Sequence, residues 1–185
     1  MIDEHEQVIL VDAWDRQIGV APKLAVHRSG LLHRAFSVFV TDDDGRLLLQ
    51  RRASTKYHSA GLWSNSCCGH PRPGERTIDA AERRLNEEMG IQCELALVSS
   101  FSYRARLDRD LIEHELDHVF VGSTRLDPQC DPDEVSEFRW ANIETVRAML
   151  RDEPASFTAW FAKALATTAL ANRQATVPRA GRSAA

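Results

Sequence analysis

Apolar and polar positions along the chain follow first a strand's period and later a helix's. Gln7–Val11 is a short apolar run. Residues 35–41 (AFSVFVT) are dense in β-formers, and the turn signal Asp42-Asp43-Asp44-Gly45 leads into a return strand over 47–52. Residues 53–74 contain Gly61, Gly69, Pro71, Pro73 and Gly74, which predicts mostly loop. The spacing then predicts a helix over 77–89, ended by Gly90 at the C′ position. Strands over 97–103, 111–122 and 138–141 and helices over 143–151 and 157–172 complete the pattern. The mixture predicts an α+β fold, an α/β sandwich with a mixed sheet flanked by helices. One domain is expected over 1–172, with a flexible tail over 173–185.

Composition narrows the class. A chain of 185 residues, 43% hydrophobic, has enough apolar content for one buried core. A net charge of −4 argues against a whole-protein nucleic-acid binder. No apolar run approaches the roughly 20 residues that span a bilayer. The acidic start MIDEHEQVIL lacks the regions of a signal peptide, so a cytoplasmic setting with no membrane partner is expected. The 4 cysteines, Cys67, Cys68, Cys93 and Cys130, form no CxxC pair, and adjacent Cys67 and Cys68 are poorly placed to bridge each other. Free thiols are the expectation in that setting, and one of them is available as a reagent.

Gly69 is followed after five residues by Glu75, and after seven more by Arg83-Arg84-Leu85-Asn86-Glu87-Glu88-Met89-Gly90-Ile91. This resembles the Nudix signature at every fixed position but one: Arg84 stands where the pattern has its first helical Glu. The signature's logic is a loop–helix–loop that projects carboxylates toward Mg²⁺ held by diphosphate oxygens. On the helix alone, a solvated face with i,i+4 pairs Arg83–Glu87 and Arg84–Glu88 explains the residues as well. Gly69 and Glu75 upstream favour the signature. The resemblance implies a Nudix-like mixed sheet flanked by helices whose hydrolytic metal site is impaired.

The segment Trp63-Ser64-Asn65-Ser66-Cys67-Cys68-Gly69-His70-Pro71 merges into that signature. Together they resemble the type I isopentenyl-diphosphate delta-isomerases, whose reactive cysteine directly precedes Gly/Ser-His-Pro. That cysteine is Cys68 here, with Cys67 expected in packing. Taken alone, a loop cysteine is more often a small buried apolar group. A thiol beside a metal-bound imidazole is, chemically, an acid/base with a movable pKa.

In 111–122 (LIEHELDHVFVG), strand alternation sends Glu113, Glu115 and Asp117 to one face and His114 and His118 to the other. Two carboxylates side by side repel unless a cation or proton sits between them; an isolated pair is otherwise a solvent-facing strand. The resemblance implies that His27, His33, His70, Glu113 and Glu115 form one site for Mn²⁺, Zn²⁺ or Mg²⁺. Their convergence comes from the family and not from spacing. The resemblance further implies a second ion, Mg²⁺ at Glu88, arriving with the substrate diphosphate. Lys23, Arg52 and Lys56, with Arg84 as a further candidate, match basic positions that hold that diphosphate. Tyr103 matches a tyrosine that hydrogen-bonds the catalytic carboxylate, and Trp160 a tryptophan over the reacting alkene, where a π face suits a transient cation.

Trp14, Trp63 and Trp140 read as structural. His5, His58, His114 and His118 read as polar groups without a role. Tyr57-His58-Ser59-Ala60-Gly61 departs from the family's more usual aromatic-Pro-Gly, at a pocket wall expected to lie away from the catalytic residues. The activity implied is interconversion of isopentenyl and dimethylallyl diphosphate in isoprenoid biosynthesis, through a tertiary carbocation, with Cys68 and Glu115 as the acid/base pair. A monomer or weak homodimer acting on a small isoprenoid diphosphate is expected. The rivals are a Nudix hydrolase, opposed by Arg84, and a non-catalytic Nudix-like binding module, opposed by the joint presence of Cys68, Tyr103, Glu113, Glu115 and Trp160.

Overall fold

The computed structural model describes residues 6–169. Nine strands form one mixed sheet. They are β1 (Gln7–Val11), β2 (Gln17–Pro22), β3 (His33–Thr41), β4 (Leu47–Arg52), β5 (Trp63–Ser64), β6 (Cys67–Gly69), β7 (Leu95–Arg106), β8 (Ile112–Ser123) and β9 (Val135–Ala141). The helices are α1 (Lys23–Ser29), α2 (Thr77–Met89), α3 (Ile143–Asp152) and α4 (Phe161–Ala166). The α+β architecture is the one the pattern predicts.

β3 organises the sheet. Along one edge it runs parallel to β8 over its whole length, from His33↔Glu115 to Thr41↔Ser123. It also pairs antiparallel with β6, through Phe36↔Gly69, Ser37↔Cys68 and Val38↔Cys67. β8 pairs in turn with β7. A strand covered on both faces reads as an unbroken apolar run, which is why 35–41 shows little alternation. Phe36, Val38 and Val40 pack with Leu85 and Met89 of α2. Phe39 packs with Val146 of α3 and Phe161 of α4. Helices therefore cover both faces.

Several boundaries differ from the pattern. β2, α1, β5 and β6 fall where no element was expected; β5 and β6 are only two and three residues long and lie among glycines and prolines. The expected helix over 157–172 is shorter. Pro154–Ser156 forms a 3-10 turn, Phe157 bridges to Trp63, and α4 begins at Phe161. Its expected end, and the tail over 173–185, lie outside the described residues. Trp14 is 76% exposed and is not structural.

Gly90 ends α2 in the left-handed region (φ 65°) with its N–H donated to Asn86 O at 2.9 Å. A Cβ there would sit 2.7 Å from Gln129 Cβ and 2.9 Å from Gln129 O. Gly90→Ala should therefore cost on the order of 2–4 kcal/mol, from left-handed strain plus overpacking. Urea unfolding checks this; an unchanged midpoint would contradict it.

Candidate active site

The register places the chemistry. Residues directly opposite in a sheet share a face, and neighbours along a strand do not. Ser37 lies opposite both Cys68 and Val119, so Cys68 points to the face from which β8 runs back through Asp117, Glu115 and Glu113. Cys67, one residue earlier, points the other way and is fully buried in the α2 core, as expected of a packing residue. His33 and Tyr103 both lie opposite Glu115 on its two flanking strands. His27 comes from α1, whose short length and polar sequence gave no clear signal. His70 follows β6.

These segments bring His27, His33, His70, Glu113 and Glu115 together, with one ligand atom from each all within 4.8 Å of one another. His33 Nε2 is 3.2 Å from His70 Nε2 and 3.6 Å from Glu115 Oε1, and His70 Nε2 is 3.0 Å from Glu115 Oε1. His27 Nδ1 donates to Lys23 O at 2.7 Å and His33 Nδ1 to Leu31 O at 2.9 Å. Those bonds fix the tautomers and turn both Nε2 lone pairs inward, the arrangement that orients imidazole ligands on a metal. His27 Nε2 and Glu113 Oε2, 3.3 Å apart, are buried without hydrogen-bond partners. Orphaned polar atoms on converging imidazole and carboxylate donors fit a divalent cation between them.

The electrostatics agree. Burial, and then the neighbouring Glu115, push the Glu113 carboxyl well above its usual range. Burial opposes charge on Glu115 too, but the His33 and His70 imidazoles outweigh it and hold that carboxyl well below the usual range. Tyr103 is held as a phenol by burial and by Glu115, and donates to Glu115 Oε2 at 2.5 Å. Burial pushes the Cys68 thiol up to about 12, against the opposing Arg52 guanidinium, so Cys68 rests protonated at neutral pH. Arg52 Nη1 lies 3.8 Å from Cys68 Sγ.

A cavity of about 920 Å³ opens onto this cluster, lined among others by Lys23, Arg52, Lys56, Cys68, Glu115 and Trp160. Trp160 is buried, its indole N–H donating to Asn65 Oδ1 at 3.1 Å. Asn65 Nδ2 also donates to Cys67 O at 2.5 Å and to Val38 O at 3.2 Å, which ties the tryptophan to the cysteine segment and to β3. Lys23 pairs with Glu6 at 3.0 Å, and Lys56 pairs with Glu134. Arg52 is buried with its Nε unpartnered, whereas Arg51 faces outward to Glu137. Arg84 is an ion-pair hub, 2.5 Å from Glu88, 2.9 Å from Glu87 and 3.0 Å from Glu134. Glu88 is buried and also accepts from Gln50 Nε2 at 3.2 Å.

Three residues were missed. Asp117, fully buried, accepts from Ser37 Oγ at 2.8 Å, and burial pushes its carboxyl well above the usual range. Gln50 holds Glu88, with only its place on a strand to signal it. His58, expected at the surface, is buried, with Nε2 3.2 Å from Glu113 Oε1. Its closeness in sequence to Lys56 and Trp63 was the available signal. His114 and His118 are half-buried on the face away from the site, and His5 lies outside the described residues.

Comparison with known proteins follows the same lines. The family model for the NUDIX domain matches residues 31–161. The isopentenyl-diphosphate Delta-isomerase 2 of Photorhabdus laumondii is 55% identical over 158 residues, spanning 85% of this chain and 89% of its own. The isopentenyl-diphosphate Delta-isomerase of Burkholderia multivorans is 56% identical over 159 residues, with the same coverages. Among solved structures, a Deinococcus radiodurans protein aligns with TM-score 0.67 at 19% identity, over 80% of this chain and 90% of its own. A MutT protein from Methanosarcina mazei aligns with TM-score 0.61 at 20% identity, over 73% and 91%.

The cluster predicts how a bound ion responds to acid. Burial lowers the His27 pKa from the ordinary 6.5 and takes His70 to about 3. A lowered imidazole pKa keeps the ligand neutral to lower pH, so a tightly held ion should survive below about pH 6.5 and leave only on further acidification. His70→Ala should abolish retention and Glu88→Gln should not. Elemental analysis of the substrate-free proteins across a pH series checks this, and a full metal complement in His70→Ala would overturn the ligand set.

Proposed function

The chain belongs to the NUDIX-domain isopentenyl-diphosphate Delta-isomerases, and from that premise we propose that Cys68 and Glu115 move the two protons that relocate the alkene. The reaction interconverts isopentenyl and dimethylallyl diphosphate in isoprenoid biosynthesis. The substrate is a small isoprenoid diphosphate. The observation that carries the residue assignment is that Cys68 and Glu115 line one cavity beside the buried indole of Trp160, with burial pushing the thiol up and His33 and His70 holding the carboxyl down.

Relocation adds a proton to the terminal alkene carbon and removes one from the carbon two positions along, with a tertiary cation between the steps. That cation must be kept from water, and acid and base must act from opposite sides of a flat substrate. One of Cys68 and Glu115 donates and the other accepts, exchanging roles when the reaction reverses. Tyr103 orients Glu115 through the 2.5 Å hydrogen bond. The Trp160 ring shields the cation, an attraction of about 2 kcal/mol or more once desolvated.

His27, His33, His70, Glu113 and Glu115 would hold a Mn²⁺, Zn²⁺ or Mg²⁺ ion, which when bound supplies positive charge that anchors Glu113 and Glu115. Lys23, Arg52, Lys56 and Arg84 would clamp the diphosphate. Lys23, Lys56 and Arg84 already hold carboxylates that a diphosphate could replace. Glu88 would bind Mg²⁺ brought in with the diphosphate. The Arg84 cation beside it disfavours a second ion until the substrate's own negative charge arrives. Among the described residues no helix is long and apolar enough to cross a membrane. We place the protein in the cytoplasm, where its free cysteines stay reduced.

In D₂O with Mg²⁺, isopentenyl diphosphate should yield dimethylallyl diphosphate carrying deuterium, read by NMR. Cys68→Ser should abolish that turnover and Cys67→Ser should leave most of it, because a hydroxyl cannot replace the thiol's proton transfer. Equal loss from both, or from neither, contradicts the assignment. With Arg84 in the place of a hydrolytic carboxylate, a phosphate-release assay should find no hydrolysis of nucleoside diphosphate compounds or of isopentenyl diphosphate. Reproducible release would return the site to the hydrolases.

A further inference from the structure

We propose that His58 is a positioning residue for the metal site, donating from Nε2 to Glu113 Oε1 so that only Oε2 of that carboxylate turns toward the ion. The inference rests on the metal reading of the five-residue cluster and adds a residue outside it. His58 Nε2 lies 3.2 Å from Glu113 Oε1, while Glu113 Oε2 lies 3.3 Å from His27 Nε2. The two oxygens thus face different imidazoles. The one beside His58 lies within reach of a ring nitrogen, and the one among the ligand atoms has no hydrogen-bond partner. A carboxylate held by one oxygen presents the other at a fixed angle, which is how an outer hydrogen bond tunes a ligand.

The protonation pattern follows from the neighbours. His58 Nδ1 is 3.2 Å from Ser59 Oγ, a hydroxyl able to donate to it, which leaves the ring proton on Nε2. The ring is caged. Tyr57 packs edge-on at 4.3 Å between centroids and Trp160 at 6.3 Å, and Arg52 Nη2 donates to the His58 carbonyl at 3.3 Å.

The backbone is held as well. Ser59 is a non-glycine residue at φ 51°, a conformation that persists only where its surroundings enforce it. Asp108, at the tip of the β7–β8 hairpin, accepts from Ser59 N at 3.3 Å and supplies that restraint. A polar surface loop would have no use for a strained residue, a buried ring and a carboxylate contact at adjacent positions. A positioning element needs all of them.

The test is Mn²⁺ affinity of the full chain without substrate, measured by the electron paramagnetic resonance signal of free Mn²⁺. His58→Leu should weaken binding by roughly 10- to 100-fold, the range for loss of an outer-shell partner. His58→Gln, whose amide nitrogen can reach the same oxygen, should stay within a few-fold of wild type. In a Glu113→Ala background His58→Leu should have little further effect, because no carboxylate remains to be positioned. Wild-type affinity in folded His58→Leu, or an undiminished effect in the Glu113→Ala background, overturns the proposal alone. A wild-type chain that takes up no ion overturns the metal reading beneath it. If His58→Leu fails to fold by circular dichroism, His58→Gln and His58→Asn decide: Gln must retain affinity and Asn, whose amide is too short, must lose it.

Discussion

The parallel pairing of β3 with β8 is the constraint on which the rest depends. It sets His33 beside Glu115 and Ser37 beside Val119, and β6 then sets Cys68 beside Ser37. Because side chains alternate along a strand, a slip of one residue would exchange every inward group for its neighbour. A slip of β8 would put Leu116 in the place of Glu115, and a slip of β6 would put Cys67 in that of Cys68. What prevents the slip is apolar. Val38, Val40 and Phe120 lock into the α2 side, and Phe39 and Val119 into the α3–α4 side. The same packing that stabilises the core therefore aligns Cys68 with Glu115.

That alignment has an electrostatic cost. Along one face of β8 the core residue Val119 gives way to Asp117, Glu115 and Glu113, all three buried. Adjacent buried carboxylates cannot all stay ionised without compensating charge. The chain surrounds them with His27, His33 and His70, gives Glu115 a phenol and gives Asp117 a hydroxyl. The result is uneven: within three residues of sequence one carboxyl, Glu113, is pushed up and the other, Glu115, is held down.

Much of this was legible beforehand, and what was not has physical reasons. The long elements announced themselves: α2 has its glycine stop, β8 its alternating acids, and the cysteine segment its fixed neighbours. The short ones did not. β6 is three residues amid glycine and proline, and it exists because β3 offers it an edge rather than because its own residues prefer extension. α1 is seven residues with no acidic first turn, yet it delivers His27. His58 read as surface because a histidine in a glycine-flanked loop usually is. Its burial depends on groups far along the chain as well as on Tyr57 beside it, namely His27, Glu113 and Trp160, and no local pattern encodes those. Trp14 misled in the opposite direction, since a large aromatic in an exposed turn looks like core.

Arg84 occupies the place where the wider family keeps a glutamate, and it has become a keystone. Its guanidinium joins Glu87 and Glu88 of α2 to Glu134, whose other partner is Lys56. R84E would remove the cation that holds these carboxylates together. It would set four carboxylates around a partly buried point with the central cation gone, a repulsion that a thermal melt would register as lost stability. Glu87, Glu88 and Glu134 all lean on this one cation, so exchanging Arg84 for a carboxylate is costly unless those partners change with it.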